Sequence, residues 1–170
     1  MVEKLERISI LFSFADQAPI SALDLSSFIY DINRLYVMSV NSPGYEDARK
    51  FVNFGRNSFK VQKSNQLTIK RIRFESPGLI EVIAAVSVGA GGLWAFIQAL
   101  ERIASWPMNR EKLRLEIEKL KRDVGTPPQT PQQTRVEPYL EQPQVRSAVR
   151  QLEANPIKPL DIQLRPSPDR

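Results

Sequence analysis

Neither cysteine nor histidine occurs in the 170 residues. Their joint absence excludes disulfides, thiol nucleophiles, Cys/His zinc sites and imidazole acid–base chemistry within this chain. A phosphate-cradling loop is missing too. "GAGG", residues 89–92, lacks the Lys-Ser/Thr that completes a P-loop, and no G-x-S-x-G elbow is found. Paired acid–base work would fall to Asp16, Asp24, Asp31, Glu46 or Asp47, each of which reads as a cap, a turn residue or an exposed helix position. The expectation is a non-enzymatic protein with no cofactor and no metal. The opening "MVEKLERISILFSFADQ" has Glu3 and Glu6 among its basic residues and an alternating apolar run, so it does not read as a signal peptide. A cytosolic start to the chain is expected.

Proline is what the chain has in excess. Of thirteen, nine lie after Gly125, and "GTPPQTPQQTRVEPYLEQPQ" is dominated by proline and glutamine. The sequence therefore predicts a Pro/Gln-rich disordered tail over residues 125–170, because such a composition cannot bury a core. Pro128/Pro131 and Pro156/Pro159 meet the P-x-x-P pattern, and "QVRSAVRQLEAN" places Val145, Val149 and Leu152 on one side of a short helix that would dock a protein partner. About 124 residues remain to build a core.

In that part, Ile8, Ile10, Phe12 and Phe14 alternate with serines, the pattern of a half-buried strand. Ser21 and Asp24 form a capping pair three residues apart. Leu25, Phe28, Ile29, Ile32, Leu35 and Tyr36 then make one apolar stripe on a helix. "NSPG", residues 41–44, ends it, and a shorter helix over residues 45–53 is expected. In "QLTIKRIRFES", Leu67 and Ile69 point one way and Ile72 and Phe74 the other, so either a bulge at Lys70-Arg71 or a strand whose two ends contact different neighbours is expected. A third strand would come from residues 58–62, and strands and helices would bury each other as a small α+β domain over residues 1–76.

Residues 77–106 hold the long apolar run. From Leu79 to Leu100 the strongly polar residues are Glu81 and Gln98. As one helix this would be about 33 Å long, against a hydrocarbon thickness of about 30 Å. A helix apolar all round is either fully buried or in lipid, which predicts a membrane-spanning helix. Trp94, Trp106 and Arg102 would be its interfacial anchors. Ala85, Ser87, Gly89, Gly91 and Gly92 would form small-residue surfaces for helix–helix packing. Two alternatives stay open: a hairpin broken at Gly91-Gly92, and a soluble oligomer core.

Residues 107–124 follow as a charged amphipathic helix, capped by Asn109, with a seam of Leu113, Ile117, Leu120 and Val124. That seam would lie on the domain, on lipid headgroups or against another subunit. The net charge of +5 and pI near 9.6 come from basic residues on both sides of the apolar run, which fits an anionic membrane surface. "KRIR" and "FGRNSFK", with Phe54 and Phe59, resemble a single-strand-binding surface, but charges that protect a strand edge explain them as well, and no nucleic-acid partner is expected.

The order of elements in residues 69–123, a strand ending in Ser76-Pro77, an Ala/Gly-rich apolar helix and a charged Arg/Lys/Glu/Leu helix, resembles a set of small uncharacterised bacterial proteins. The resemblance implies bacterial origin and an accessory or regulatory part in a multi-protein system. It carries over no catalytic residue, and the Pro/Gln tail lies outside it. Together these readings predict an adaptor or accessory protein, anchored in a membrane with its N-terminal domain in the cytoplasm, which self-associates as a homo-oligomer and recruits a partner. The alternatives are a cytoplasmic self-assembling scaffold and a small membrane-perturbing effector.

Overall fold

The computed structural model describes residues 7–15, 20–40, 67–73, 75, 78–85, 90–124 and 140–167. The expected helix at 45–53 and strand at 58–62 lie outside them. In chain order the elements are β1 (Arg7–Phe14), α1 (Ala22–Val40), β2 (Thr68–Arg73), β3 (Gly78–Ala85), α2 (Ala90–Glu101), α3 (Arg110–Val124), α4 (Pro143–Ala154) and β4 (Pro159–Pro166). The strands form one antiparallel sheet in the order β2-β3-β1-β4. With α1 between β1 and β2 and helices between β3 and β4, this is the split β-α-β-β-α-β arrangement.

Strand β1 takes the centre because its pattern suits one covered face. Ile8, Ile10, Phe12 and Phe14 are buried against the helices. Phe12 meets Phe28 edge-on at 5.8 Å and Trp106 at 6.3 Å, and Phe14 meets Phe28 at 5.6 Å. Helix α1 begins as its capping pair requires: the Asp24 N–H donates to Ser21 Oγ at 3.0 Å, and Ser21 Oγ donates to Asp24 Oδ2 at 2.7 Å. Its stripe is buried at Phe28, Ile32, Leu35 and Tyr36 and partly buried at Leu25 and Ile29. Helices α2 and α4 flank it.

The apolar run is not a single helix. Its first part is β3, paired on both sides with Ile80 opposite Phe12 and Ile72, and its second part is α2. Among the described residues no helix is long and apolar enough to cross a membrane. A continuous apolar run fits a strand with apolar residues on both faces of its sheet as well as a helix, and the branched residues Ile80, Val82 and Ile83 favour the strand. Ala85 therefore ends a strand while Gly91 and Gly92 lie in α2, so these positions share no helical packing surface; Ser87 and Gly89 fall outside the described residues. Trp94 and Trp106 are buried in the core, 7% and 1% exposed, where an interfacial anchor would face lipid. Arg102 sits at the end of α2, its N–H bonded to the carbonyls of Gln98 and Ala99.

The expected disordered tail is corrected as well. Its residues 143–154 form α4 and residues 159–166 form β4, so the tail contributes a strand to the same sheet as residues 7–14. Pro143 stands at the first turn of α4, where its missing N–H costs nothing. Pro159 and Pro166 bound an edge strand, where proline is tolerated. Val145, Ala148 and Leu152 are buried.

Helix α3 covers the β4 side of the sheet. Asn109 Oδ1 accepts the Lys112 N–H at 3.0 Å, as its cap position requires. Leu113, Ile117 and Leu120 belong to the domain's own core. Arg110 donates to the carbonyls of Glu101 at 3.0 Å and Ile103 at 2.8 Å, satisfying the end of α2. Lys112 Nζ pairs with Asp161 Oδ2 at 2.8 Å. Burial pulls the Asp161 carboxyl upward, but the bonds from Lys112 and Gln163 outweigh it and hold it below its ordinary value.

Candidate binding site

A cavity of about 160 Å³ lies between α1 and the β2–β3 half of the sheet. Its floor is Phe12, Ile80 and Val82, its wall is Phe28, Ile29, Tyr30, Ile32 and Asn33 of α1, and its rim is Leu67 and Ile69. Each comes from a pattern already described. Phe12, Ile80 and Val82 are the core-facing positions of β1 and β3, and Ile29 and Ile32 belong to the stripe of α1. Tyr30 and Asn33 border that stripe on its solvent side.

The bulge completes the rim. Register shifts between Ile69 and Arg71: Ile69 pairs with Val82, Arg71 with Glu81 and Ile72 with Ile80. The extra residue, Lys70, puts Ile69 and Ile72 back on one face, so Ile69 joins the cavity and does not point away from it. Asn33 Oδ1 accepts the Leu67 N–H at 3.0 Å, which ties the start of β2 to α1 and fixes the width of the opening. Ile69 is 44% exposed and Tyr30 37%, so the rim is open to solvent while Phe12, Ile80 and Val82 beneath are buried.

The lining is apolar apart from the Asn33 amide and the Tyr30 hydroxyl. Among the described residues that line the cavity there is no carboxylate and no amine, and it can hold an apolar group. Apolar cavities of about 150 Å³ bind a benzene-sized molecule. One large side chain is therefore the size of guest that fits.

On the opposite face of the sheet a charged cluster flanks this site. Lys70 Nζ and Arg71 Nε lie 3.9 and 3.8 Å from the two oxygens of Glu81, and Ser9 Oγ donates to Glu81 Oε1 at 2.6 Å. Among the described residues, the outward positions of β1 and β3 here are Ser9, Leu11, Ser13, Leu79 and Glu81, none of them aromatic. Among the described residues no group of His, Cys, Asp or Glu is arranged to hold a metal.

Of the carboxylates weighed as acid–base candidates, Asp24 is a helix cap and Asp31 is fully buried between α1 and α4. Asp16, Glu46 and Asp47 lie outside the described residues, as do Phe54 and Phe59. Leu113, Ile117 and Leu120 are spent inside the fold; for Val124 only the backbone position at the end of α3 is described. The cavity residues Ile29, Tyr30, Asn33, Leu67 and Ile69 were not singled out as a site from the sequence. The signal for them was the α1 stripe combined with the phase change in β2. Comparison with family models, with curated proteins and with solved structures finds no match.

Proposed function

We propose that this chain is a non-enzymatic adaptor that recruits a partner by holding one of its large apolar side chains in the cavity between α1 and β2. The observation that carries this reading is the cavity itself: apolar, sized for one side chain, and rimmed by the half-exposed Ile69 and Tyr30. Small binding sites are typically apolar concavities with a few polar groups at the mouth, and Asn33 and Tyr30 supply those groups. The reading keeps partner recruitment and needs no membrane-spanning helix. It leaves self-association aside, because the seam of α3 and the apolar part of α2 are buried within the chain.

Methyl-labelled protein titrated with toluene or indole tests it. Saturable shifts at the methyls of Ile29, Ile69 and Ile80, lost in Ile69→Trp, which plugs the rim, are expected. Shifts that are absent, or that spread evenly over the core methyls, would refute the reading.

A further inference from the structure

We infer that the guest enters the cavity with a neutral carbonyl oxygen at its outer end, and that Asn33 Nδ2 donates a hydrogen bond to that oxygen. In a protein partner the oxygen is the backbone carbonyl of the residue whose side chain fills the cavity. This rests on the recruitment reading above and goes further, to the chemistry that the mouth of the cavity selects.

The Asn33 amide is oriented by its neighbour. The Leu67 N–H is a donor and bonds to an oxygen, so the 3.0 Å contact assigns Oδ1 to the start of β2 and leaves Nδ2 on the other side of the amide. That nitrogen carries a pair of N–H donors, and neither meets an acceptor among the described residues. Nor is it sealed off. Asn33 is half-buried, and its Nδ2 is not one of the buried side-chain atoms left without a partner.

Place decides what such a donor is for. Ile29 and Asn33 stand one turn apart on α1 and line the same wall, above the buried Phe12, Ile80 and Val82. Because Asn33 is bonded to Leu67 at the rim, its amide stands at the mouth, where the outer end of a guest lies. A guest without an acceptor there covers the N–H groups with hydrocarbon, which costs them their water. A guest with an acceptor keeps one of them bonded. Among the described residues that line the cavity there is no cation, so a carboxylate would give up its water for one amide, and a neutral oxygen is favoured. Behind a phenylalanine side chain that enters ring first, the nearest such oxygen is the residue's own carbonyl, separated from the ring by Cβ and Cα.

Benzylacetone reproduces that chain of ring, carbons and carbonyl, and butylbenzene is its counterpart without the oxygen. Each is titrated into the full chain, labelled at its isoleucine methyls and asparagine side chains, and into Asn33→Asp, which keeps an oxygen on the Leu67 N–H and removes the donor. Both should shift the methyls of Ile29, Ile69 and Ile80, and the ketone alone should move the Asn33 side-chain amide protons downfield. The ratio of ketone to hydrocarbon affinity should fall about tenfold in Asn33→Asp. N-acetylphenylalanine methylamide should compete with the ketone. If the variant does not fold, the Asn33 amide protons of the parent decide alone. Amide protons that stay put while the ketone binds would overturn the hydrogen bond, as would an unchanged ratio, and the cavity reading would survive either result. A ketone that binds but is not displaced by the phenylalanine amide would overturn the partner's side chain as its source, in favour of a free small molecule. Methyls unmoved by both ligands would sink the recruitment reading and this one with it.

Discussion

Glu116 of α3 accepts the backbone N–H of Leu164 in β4, Oε2 to nitrogen 3.0 Å. A strand at the rim of a sheet leaves a row of donors and acceptors open to other chains. On the β4 side this helix takes one of those donors through Glu116 and lies along the strand, with Lys112 paired to the Asp161 side chain. The two rims are thus treated differently: β4 is covered, and β2 is exposed and charged.

Removing that acceptor leaves a part-buried N–H unsatisfied. Glu116→Ala is expected to cost about 1–3 kcal/mol and to speed hydrogen exchange at Leu164. Glu116→Gln, which keeps an oxygen there, should cost less. Urea denaturation with residue-resolved exchange checks both; equal costs for the two variants would show that the bond contributes little.

Asp31 gives the fold a pH dependence of known sign. Its side chain is fully buried in α1, with Ser27 Oγ 3.4 Å away and the Gln151 amide, turned with its nitrogen toward it, 2.8 Å from Oδ1. Burial pushes the carboxyl up to about 6 from 3.8, against the pull of Arg34 and Ser27. Because the folded state holds the proton more tightly than the unfolded chain, this group's contribution is greatest below pH 4 and falls as pH rises through 6. The loss is about 3 kcal/mol in total. Asp31→Asn should flatten stability between pH 4 and 7 and be the more stable form at pH 8. A wild type whose urea midpoint does not move over that range would contradict the assignment.

Residues 140–167 are structural. Val145, Ala148, Leu152, Ile157, Ile162 and Leu164 are all buried, and Asn155 Nδ2 donates to the Asp24 carbonyl at 3.0 Å. A chain ending at residue 139 would expose one side of β1 and that apolar surface together. It is expected to lose its cooperative thermal transition, which calorimetry would show; a truncated chain that melts like the parent would mean that β4 is dispensable.

Much of this was legible before any coordinates. The Ser21/Asp24 cap, the α1 stripe, the bulge at Lys70 and the Asn109 cap each depend on near neighbours in sequence, and the structure places them as the residues suggest. The hydrophobic run reads as a helix because β3 carries apolar residues on both faces, Ile80 and Val82 on the core side and Leu79 and Ile83 on the other, so alternation is lost and only pairing with β1 and β2 decides between strand and helix. In "PLDIQLRP" the alternation of Ile162 and Leu164 with Asp161, Gln163 and Arg165 was present, but prolines at both ends made it look like tail. The prolines are tolerated because β4 is an edge strand, a fact about its position in the sheet that local sequence does not carry. The cavity is hidden from the sequence for the same reason, since its floor and wall come from three elements brought together by the sheet order.

The cavity needs residues 78–85 to form a strand beside β1, and the sheet order needs residues 159–166 to flank β1 on the other side. Nuclear Overhauser contacts from the backbone of Ile10 measure both at once. The account predicts cross-strand contacts from Ile10 to Val82 and from Ile10 to Leu164, with helical contacts beginning only near residue 90. An unbroken ladder of helical contacts through residues 79–100, with none from Ile10 to Val82, would contradict it.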